Sequence, residues 1–369
     1  GVAQGTSRQI NSSAPETHVL IGGSGGESSG TTTRSQAVVT QLNAGGNIVA
    51  RVTEGMRDEG TSYQAGRSVD IEAGRYEAAA AANRSSSTQQ STNASANLTV
   101  GLSTASEVNA SLGAQGGSSN TSERRSEAVV GSVQAGENVR IRSRGDATLE
   151  GTRIQAGGNA SVTAGGNLAI NQANNTFERS VDSRQGGASI TASVCTDLSC
   201  ASAGAGGDGR VVQGTESATT GVAATIRSGG STTVGAGSNL TLQGTRIQSG
   251  GDTNLSAGGR IDFQALSSTE RNNLTVDGGS ANVGGGVGRS MSFLKDGSAN
   301  TSVTFERNRD AGSSETRVGG SIQSGGQLNI TSGGETRLEG TQIGAQSARI
   351  NVGALTMESA QSTEQRNQS

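Results

Sequence analysis

A phrase of twenty residues occurs twice in this chain, and its spacing constrains the fold more than any other feature. GTRIQAGGNASVTAGGNLAI begins at Gly151, and GTRIQSGGDTNLSAGGRIDF begins at Gly244, 93 residues later. Related phrases extend the pattern to four blocks, each with two copies that lie 21 residues apart. The paired anchor residues are Leu42 and Tyr63, Val133 and Ile154, Ile226 and Ile247, and Ile322 and Ile343. The first anchors of successive blocks are 91, 93 and 96 residues apart, so a short period is nested in a long one.

Within the short period, apolar and polar residues alternate in brief runs that end at Gly-Gly or Gly-Asn. Alternation of period two indicates short strands, and the glycine pairs indicate tight turns. Three such strands in 21 residues make one coil, so we predict an all-β fold, a right-handed parallel β-helix (β-solenoid). Residues 21 apart should then stack. The predicted stacked pairs are Val133 with Ile154, Ile141 with Val162, Leu149 with Ile170, Leu240 with Ile261 and Leu242 with Phe263.

The composition agrees with a narrow interior. The chain has 59 glycines among 369 residues, one proline (Pro15) and no tryptophan. We expect glycine to supply corners with positive φ, whereas proline would remove a hydrogen-bond donor from the ladder between coils. Asn138 and Asn159, at matched corners, are expected to stack as a hydrogen-bonded ladder.

About 50 residues separate one pair of coils from the next, and these segments carry longer alternating runs, as in residues 96–117, 186–207 and 281–308. They predict inserted β-hairpins or wider coils. Eight coils with hairpins would span about 40 Å, and seventeen uniform coils about 80 Å. We interpret residues 1–369 as one continuous solenoid segment, with blocks at approximately 17–108, 109–200, 201–295 and 296–369. No signal peptide opens the sequence, so we expect an internal piece of a longer chain.

Combined with these inserts, the coil phrases resemble a known family. The pairing of AGGNL and GTRIQAGG coils with segments such as GVGRS (Gly286–Ser290) is similar to the haemagglutinin repeats of bacterial two-partner secretion exoproteins. That group comprises the filamentous haemagglutinins and the contact-dependent growth inhibition effectors, and the resemblance is closest to their second repeat region. It extends from about residue 17 to 367.

The resemblance implies a secreted protein at the bacterial surface. Such proteins cross the outer membrane through a dedicated β-barrel transporter and fold outside as a filament. It therefore implies adhesion, or engagement of a receptor or outer membrane of a target cell and toxin delivery during contact-dependent growth inhibition. A monomeric segment of a filament is expected. The sequence shows neither the family's N-terminal secretion domain nor a toxin-like C-terminus, so we expect an internal segment of the filament.

No catalytic, cofactor-binding or metal site is predicted, and the chain is not expected to be an enzyme. Nucleophilic catalysis needs a base beside the nucleophile, and His18 is the only histidine. Glycan-cleaving β-helices cluster carboxylates on adjacent coils. Here the acids are scattered among arginines and read as charge pairs on the outer face; they are Asp146, Glu150, Asp252 and Asp262. A polysaccharide-active enzyme and a purely structural spacer are the alternative functions.

Two short motifs remain. Cys195 and Cys200 are the only cysteines, and their spacing predicts one local disulfide, with free thiols as the alternative. Arg144-Gly145-Asp146 is the tripeptide that integrins bind, so these residues are a candidate binding site, although chance within a glycine-rich turn explains the motif better.

The net charge of −3, without runs of basic residues, predicts no nucleic-acid partner. If the protein has a binding surface, we expect it on the inserts, because stacking constrains the coils.

Overall fold

A computed structural model gives the structure of the chain, and it describes residues 3–5, 17–103, 107–196, 199–289 and 295–369. Pro15, whose isolation supported the strand argument, lies outside these ranges. Every regular element in the described ranges is a β-strand, and the strands form four sheets. The all-β prediction is confirmed.

Three parallel sheets of eight strands each are the walls of the solenoid, and each coil contributes one short strand to each wall. The first wall is β3 (Gln41–Ala44), β6 (Ser62–Ala65), β11 (Ser132–Ala135), β14 (Arg153–Ala156), β19 (Thr225–Ser228), β22 (Arg246–Ser249), β27 (Ser321–Ser324) and β30 (Gln342–Gly344). The second wall is β4 (Ile48–Arg51), β7 (Val69–Ala73), β12 (Val139–Ser143), β15 (Ala160–Ala164), β20 (Thr232–Ala236), β23 (Thr253–Ala257), β28 (Gln327–Ser332) and β31 (Ser347–Asn351). The third wall is β5 (Gly55–Glu59), β8 (Arg75–Ala79), β13 (Ala147–Glu150), β16 (Leu168–Asn171), β21 (Leu240–Gln243), β24 (Ile261–Gln264), β29 (Glu335–Glu339) and β32 (Ala354–Glu358). The fold is the right-handed parallel β-helix that the sequence predicts.

The core is a single stack of mostly aliphatic side chains along the solenoid axis, with Tyr63, Tyr76 and Phe263 among them. All five predicted stacked pairs are register partners in neighbouring coils, and all ten residues are buried. Strand alternation turns every second side chain inward, so each inward residue meets its counterpart one coil above and below. A narrow stack of this kind replaces a globular core.

Corner side chains form ladders between the coils, as expected for Asn138 and Asn159. The Oδ1 atom of Asn138 accepts a hydrogen bond from the backbone N–H of Asn159 at 2.8 Å, and Asn159 repeats the contact to Ser231 N at 2.7 Å. The rungs are therefore side chain to backbone, and each one satisfies a corner N–H that the wall strands leave unpaired.

The expected role of glycine needs a correction. Among the described glycines, only Gly60, Gly151, Gly244 and Gly340 have positive φ. Most of the Gly-Gly turns instead lie in close contact with the coil below, where an added Cβ would collide with a backbone carbonyl; at Gly157 this is the carbonyl of Gly136. Glycine is needed at those turns because of the 4.8 Å spacing of the coils, and its left-handed conformation is used at one corner of each block.

The inserts are β-hairpins, which settles the alternative left open by the sequence. The hairpins are β9 (Ala81–Ser103) with β10 (Glu107–Val129), β17 (Ala173–Cys195) with β18 (Cys200–Val222), and β25 (Leu266–Arg289) with β26 (Lys295–Val318). They pair with one another and with β1 (Ala3–Gly5), β2 (Thr17–Ser35) and β33 (Thr363–Gln368) in one nine-stranded antiparallel sheet, which we call the hairpin sheet. The run of alanines after Arg75 continues as strand, in β8 and the start of β9.

Candidate functional surface: the hairpin sheet

The hairpin sheet is fixed to the solenoid by a clamp that recurs in each block. Side chains at the base of one arm accept a hydrogen bond from a backbone N–H at the base of another: Asn83 from Ala37 (2.9 Å), Asn175 from Ala128 (2.7 Å), Ser268 from Gly221 (3.1 Å) and Ser362 from Arg317 (3.0 Å). The acceptors are 92, 93 and 94 residues apart, which is the long period of the sequence. Sequence reasoning missed them, although this recurrence was the signal that could have identified them.

An ion pair and an amide reinforce this base. Arg317 in β26 contacts Glu339 of the solenoid at 2.6 Å and Glu315 at 2.8 Å. Its hydrogen bond is the main cause that holds the pKa of Glu315 below the usual range. Gln172 both donates to the Ser267 carbonyl and accepts from the Ser267 N–H, at 2.9 and 2.8 Å. The arms therefore leave the solenoid at a fixed place.

Beyond the base, strand alternation gives the hairpin sheet two different faces. The face that carries Thr99, Ser111, Thr191, Ser202 and Asn282 has mostly hydroxyl, amide and glycine positions in its outer part, with Leu20 and Asp208 among them, and we call it the polar face. Near its base lies a groove of about 830 Å³, where the Arg125 guanidinium stacks over the Phe177 ring at 4.8 Å and pairs with Glu123 at 2.7 Å. This arrangement offers hydrogen bonds and one cation beside an aromatic ring to a polar ligand.

The opposite face is apolar in its outer part, and we call its five outer rows the apolar face. Cross-strand register aligns the rows. They are Leu102–Val108–Val194–Ala201–Val287–Gly297, Val19–Val100–Ala110–Ala192–Ala203–Gly285–Ala299, Ile21–Leu98–Leu112–Ile190–Ala205–Val283–Thr301, Gly23–Ala96–Ala114–Ala188–Gly207–Ala281–Val303 and Gly25–Ala94–Gly116–Gly186–Gly209–Gly279–Phe305. Ile190 is 58% exposed and Phe305 is 87% exposed, so no described element covers this face.

The Arg-Gly-Asp motif lies on the solenoid and not on the hairpin sheet. Arg144 is 3.8 Å from Glu72, and Asp146 accepts hydrogen bonds from the backbone N–H of Asn167 at 2.8 Å and from Arg75 at 3.4 Å. The hydrogen bond from Asn167 is the main cause that lowers the pKa of Asp146. Asp146 occupies the same ladder position as Asn167 and Asn239. Both charged ends of the motif therefore have partners on the solenoid, and a binding role for Arg144, Gly145 and Asp146 stays a prediction.

The other acidic residues have local roles that differ in part from the expected charge pairs. Asp262 lies 3.7 Å from Arg337, in agreement with that expectation. Glu150 instead accepts from the backbone N–H of Ala80 at 3.2 Å, and Asp252 from that of Gln327 at 2.7 Å. His18 lies in β2. Within the described ranges, no group of three or more metal-ligating side chains is found.

Sequence comparison identifies the repeats. The family model described as hemagglutinin repeat matches residues 21–188 and 205–369. The chain belongs to the hemagglutinin repeat family. This membership confirms the resemblance to haemagglutinin repeats of two-partner secretion exoproteins.

Two curated relatives share the repeats over nearly the whole chain. A protein named Hemolysin from Serratia marcescens is 30% identical over 357 residues, which is 94% of this chain and 22% of the relative. A protein of the same name from Proteus mirabilis is 28% identical over 366 residues, 97% of this chain and 23% of the relative. This hemagglutinin-repeat chain therefore spans less than a quarter of the length of either relative. No solved structure matches it significantly.

The two cysteines of the hemagglutinin-repeat chain lie at the outer end of a hairpin. Cys195 ends β17 and Cys200 begins β18, their Cα atoms are 5.1 Å apart, and the structure joins their sulfur atoms. This separation lies in the ordinary range for a disulfide. The pairing in solution stays a prediction. The described part of the chain contains no helix that could span a membrane.

Proposed function

We propose that this chain is an extracellular filament segment of a two-partner secretion exoprotein, and that it binds a target-cell surface without catalysis. The binding serves adhesion, or target-cell engagement and toxin delivery in contact-dependent growth inhibition. On this proposal, the chain reaches the bacterial surface through an outer-membrane β-barrel transporter, and its partner is a receptor or the outer membrane of the target cell.

The observation that carries the proposal is the hairpin sheet. A solenoid alone would serve as a spacer, yet each block spends about half of its length on hairpins that add nothing to the buried core column. Their side chains are exposed on both faces, and extended hydroxyl- and amide-rich surfaces favour contact with a polar cell surface over binding of a small molecule in a pocket. The roles found for Asp146, Glu150 and Asp252 leave the polysaccharide-enzyme alternative without support from these carboxylates.

Cell binding by matched charge variants tests the proposal. Asn109→Asp, Ser202→Asp and Asn282→Asp together place three carboxylates on the polar face. Gln134→Glu, Gln155→Glu and Gln248→Glu place three on an exposed solenoid wall, as the control. The labelled chain is measured on erythrocytes, suggested by the names of the relatives, and on Gram-negative cells. We expect the polar-face variant to bind about tenfold less than the control.

Two results would contradict this function. The first is a wild-type chain that binds neither cell type, which is the behaviour of a spacer. The second is equal binding by both charge variants, which would move the contact away from the polar face.

A further inference from the structure

The apolar face is too large to remain in contact with water. Neighbouring strands lie about 4.8 Å apart and same-face residues about 6.8 Å apart, so seven strands and five rows cover roughly 1,100 Å². The largest exposed apolar patch of a typical monomeric protein is about 300–600 Å². None of the residues in these five rows is charged. A partner should therefore cover this face.

The arrangement of large and small side chains on the apolar face indicates what the partner is. One row carries a ridge of bulky side chains, Ile21, Leu98, Leu112 and Ile190. Two rows away lies a groove of four consecutive glycines, Gly116, Gly186, Gly209 and Gly279, on two of the ridge strands and the next two strands. The other two ridge strands carry Gly25 and Ala94 in that row. A row that is almost entirely alanine and glycine lies between the ridge and the groove, with Ala188 at its middle strand.

Ridge and groove are related so that the face fits a rotated copy of itself. A two-fold axis that lies between the two sheets and runs along the alanine row brings the ridge of each copy over Gly25, Ala94, Gly116 and Gly186 of the other. Sheets that pack face to face are about 10 Å apart with interdigitating side chains, and a two-fold interface uses the same patch on both partners. The area of about 1,100 Å² is more than the roughly 800 Å² that each partner buries in a stable interface.

We propose that the apolar face is a homodimer interface, in which two copies of this chain pack hairpin sheet against hairpin sheet. A flat lipid surface would gain nothing from a groove of glycines, whereas a rigid, matched copy requires one. The dimer turns the two polar faces outward in opposite directions, which doubles the target-binding surface. The inference goes beyond the proposed function and holds whichever target that surface binds; it departs from the expectation of a monomeric segment.

Variants that fill the glycine groove distinguish a homodimer of matched surfaces from non-specific hydrophobic association. Gly116→Val and Gly209→Val add apolar area and strand propensity, and a Cβ at either site meets only a backbone oxygen, at 3.6 and 3.9 Å. The control is Gly278→Val with Gly288→Val on the polar face, where an added Cβ has 3.4 Å or more of room. A third variant, Leu112→Ser with Ile190→Ser, removes part of the ridge. Circular dichroism verifies that each variant is folded.

Sedimentation velocity over a dilution series measures the mass of each particle. We expect two copies for the wild type and the polar-face control, and at least about tenfold weaker dimerisation for both the groove and ridge variants. A single copy at every wild-type concentration would overturn the inference. So would a groove variant that associates as tightly as the wild type, or a wild type that stays monomeric and floats with phosphatidylcholine vesicles. Target-cell binding is read separately, so loss of the dimer and loss of the proposed function are distinguishable.

Discussion

At the scale of single residues, one glycine per block forms the corner at which one coil ends and the next begins. Gly60, Gly151, Gly244 and Gly340 have φ between 58° and 63°, and each begins the Gly-Thr dipeptide that leads into the first wall. Each also packs against the residue where the next coil ends; for Gly151 that is Ala173, the first residue of a hairpin. The position therefore demands both a left-handed backbone and the absence of a side chain.

Substitution at this corner should be far more harmful than at an open turn. In Gly151→Ala, the new Cβ would lie 2.6 Å from Val130 Cγ1 and 2.8 Å from Ala173 Cβ. With the left-handed conformation added, we expect a loss of about 2–4 kcal/mol in the free energy of unfolding. The matched control is Gly46→Ala, which has no heavy atom within 4 Å of the new Cβ and should change stability by less than about 1 kcal/mol. Urea denaturation measures both; equal effects would contradict the corner argument.

A carboxylate and two tyrosines define the interior of the first two coils. Tyr63 Oη donates to Asp58 at 2.9 Å and Tyr76 Oη donates to Asp58 Oδ2 at 2.9 Å. Both rings are buried. Burial first, and Asp58 second, raise the pKa of Tyr63 and of Tyr76.

These tyrosines predict a loss of stability at alkaline pH. Below the unfolded pKa of about 10 the folded and unfolded states both hold the phenolic protons, so the two tyrosines make their full contribution to the free energy of unfolding. Above about pH 10 the unfolded chain releases them and the folded chain does not. The free energy of unfolding should then fall by up to about 1.4 kcal/mol per pH unit for each tyrosine.

Denaturation between neutral and alkaline pH measures this loss, and Tyr63→Phe with Tyr76→Phe is the comparison. The double variant should be less stable at neutral pH, because Asp58 loses two donors, yet its stability should change less above about pH 10. The sequence contains only these two tyrosines and one lysine, Lys295, so few other groups titrate there. If the free energy of unfolding falls equally steeply with alkaline pH in both proteins, the two tyrosines are not the cause of the loss.

At the scale of elements, the hairpins explain why the long period contains two coils. Each coil advances the solenoid by one strand spacing, about 4.8 Å, and each hairpin advances the hairpin sheet by two. Two coils per hairpin therefore give both structures the same pitch, so hairpins from successive blocks meet in register. Asn175 and Ser268 fix this register at the base of the arms.

The outer ends of the hairpins lie far from these clamps, which makes the Cys195–Cys200 link a local element. A disulfide that closes so short a loop constrains the unfolded chain by only about 2 kcal/mol. We expect Cys195→Ser with Cys200→Ser to lower global stability by no more than that, while amide exchange increases at the end of the hairpin 173–222. Exchange mass spectrometry measures it, with hairpin 81–129, which has no cysteine, as internal reference. A peptide map without reductant that shows free thiols would contradict the link itself.

At the scale of the whole molecule, the solenoid and the hairpin sheet are two stacks of equal pitch that share one chain. Every described strand of the walls pairs with a coil above or below it, and every hairpin pairs with its neighbour. Length should then change only by whole blocks.

Two deletions test this rule. Removing residues 151–243 joins Glu150 to Gly244 and deletes two coils with one hairpin, so the Gly-Thr corner is restored and β10 meets β25. We expect a folded protein about 10 Å shorter, because two strand spacings are lost. Removing residues 132–152 deletes one coil alone and offsets the two stacks by about 4.8 Å. This shorter deletion should be the more destabilising; small-angle scattering and thermal unfolding measure length and stability, and the reverse order would refute pitch matching.

The sequence by itself determined the coils. A spacing of 21 residues brings Ile141 onto Val162 and Leu242 onto Phe263 because the interior admits only stacked neighbours, so local alternation and repeat length suffice. The tertiary structure decided the rest. Alternation in the inserts shows that Leu98 and Leu112 share a face, but not that Leu112 lies beside Ile190 of the next block. That pairing joins strands whose partners are set by the solenoid's pitch, and the same long-range register assembles the apolar face.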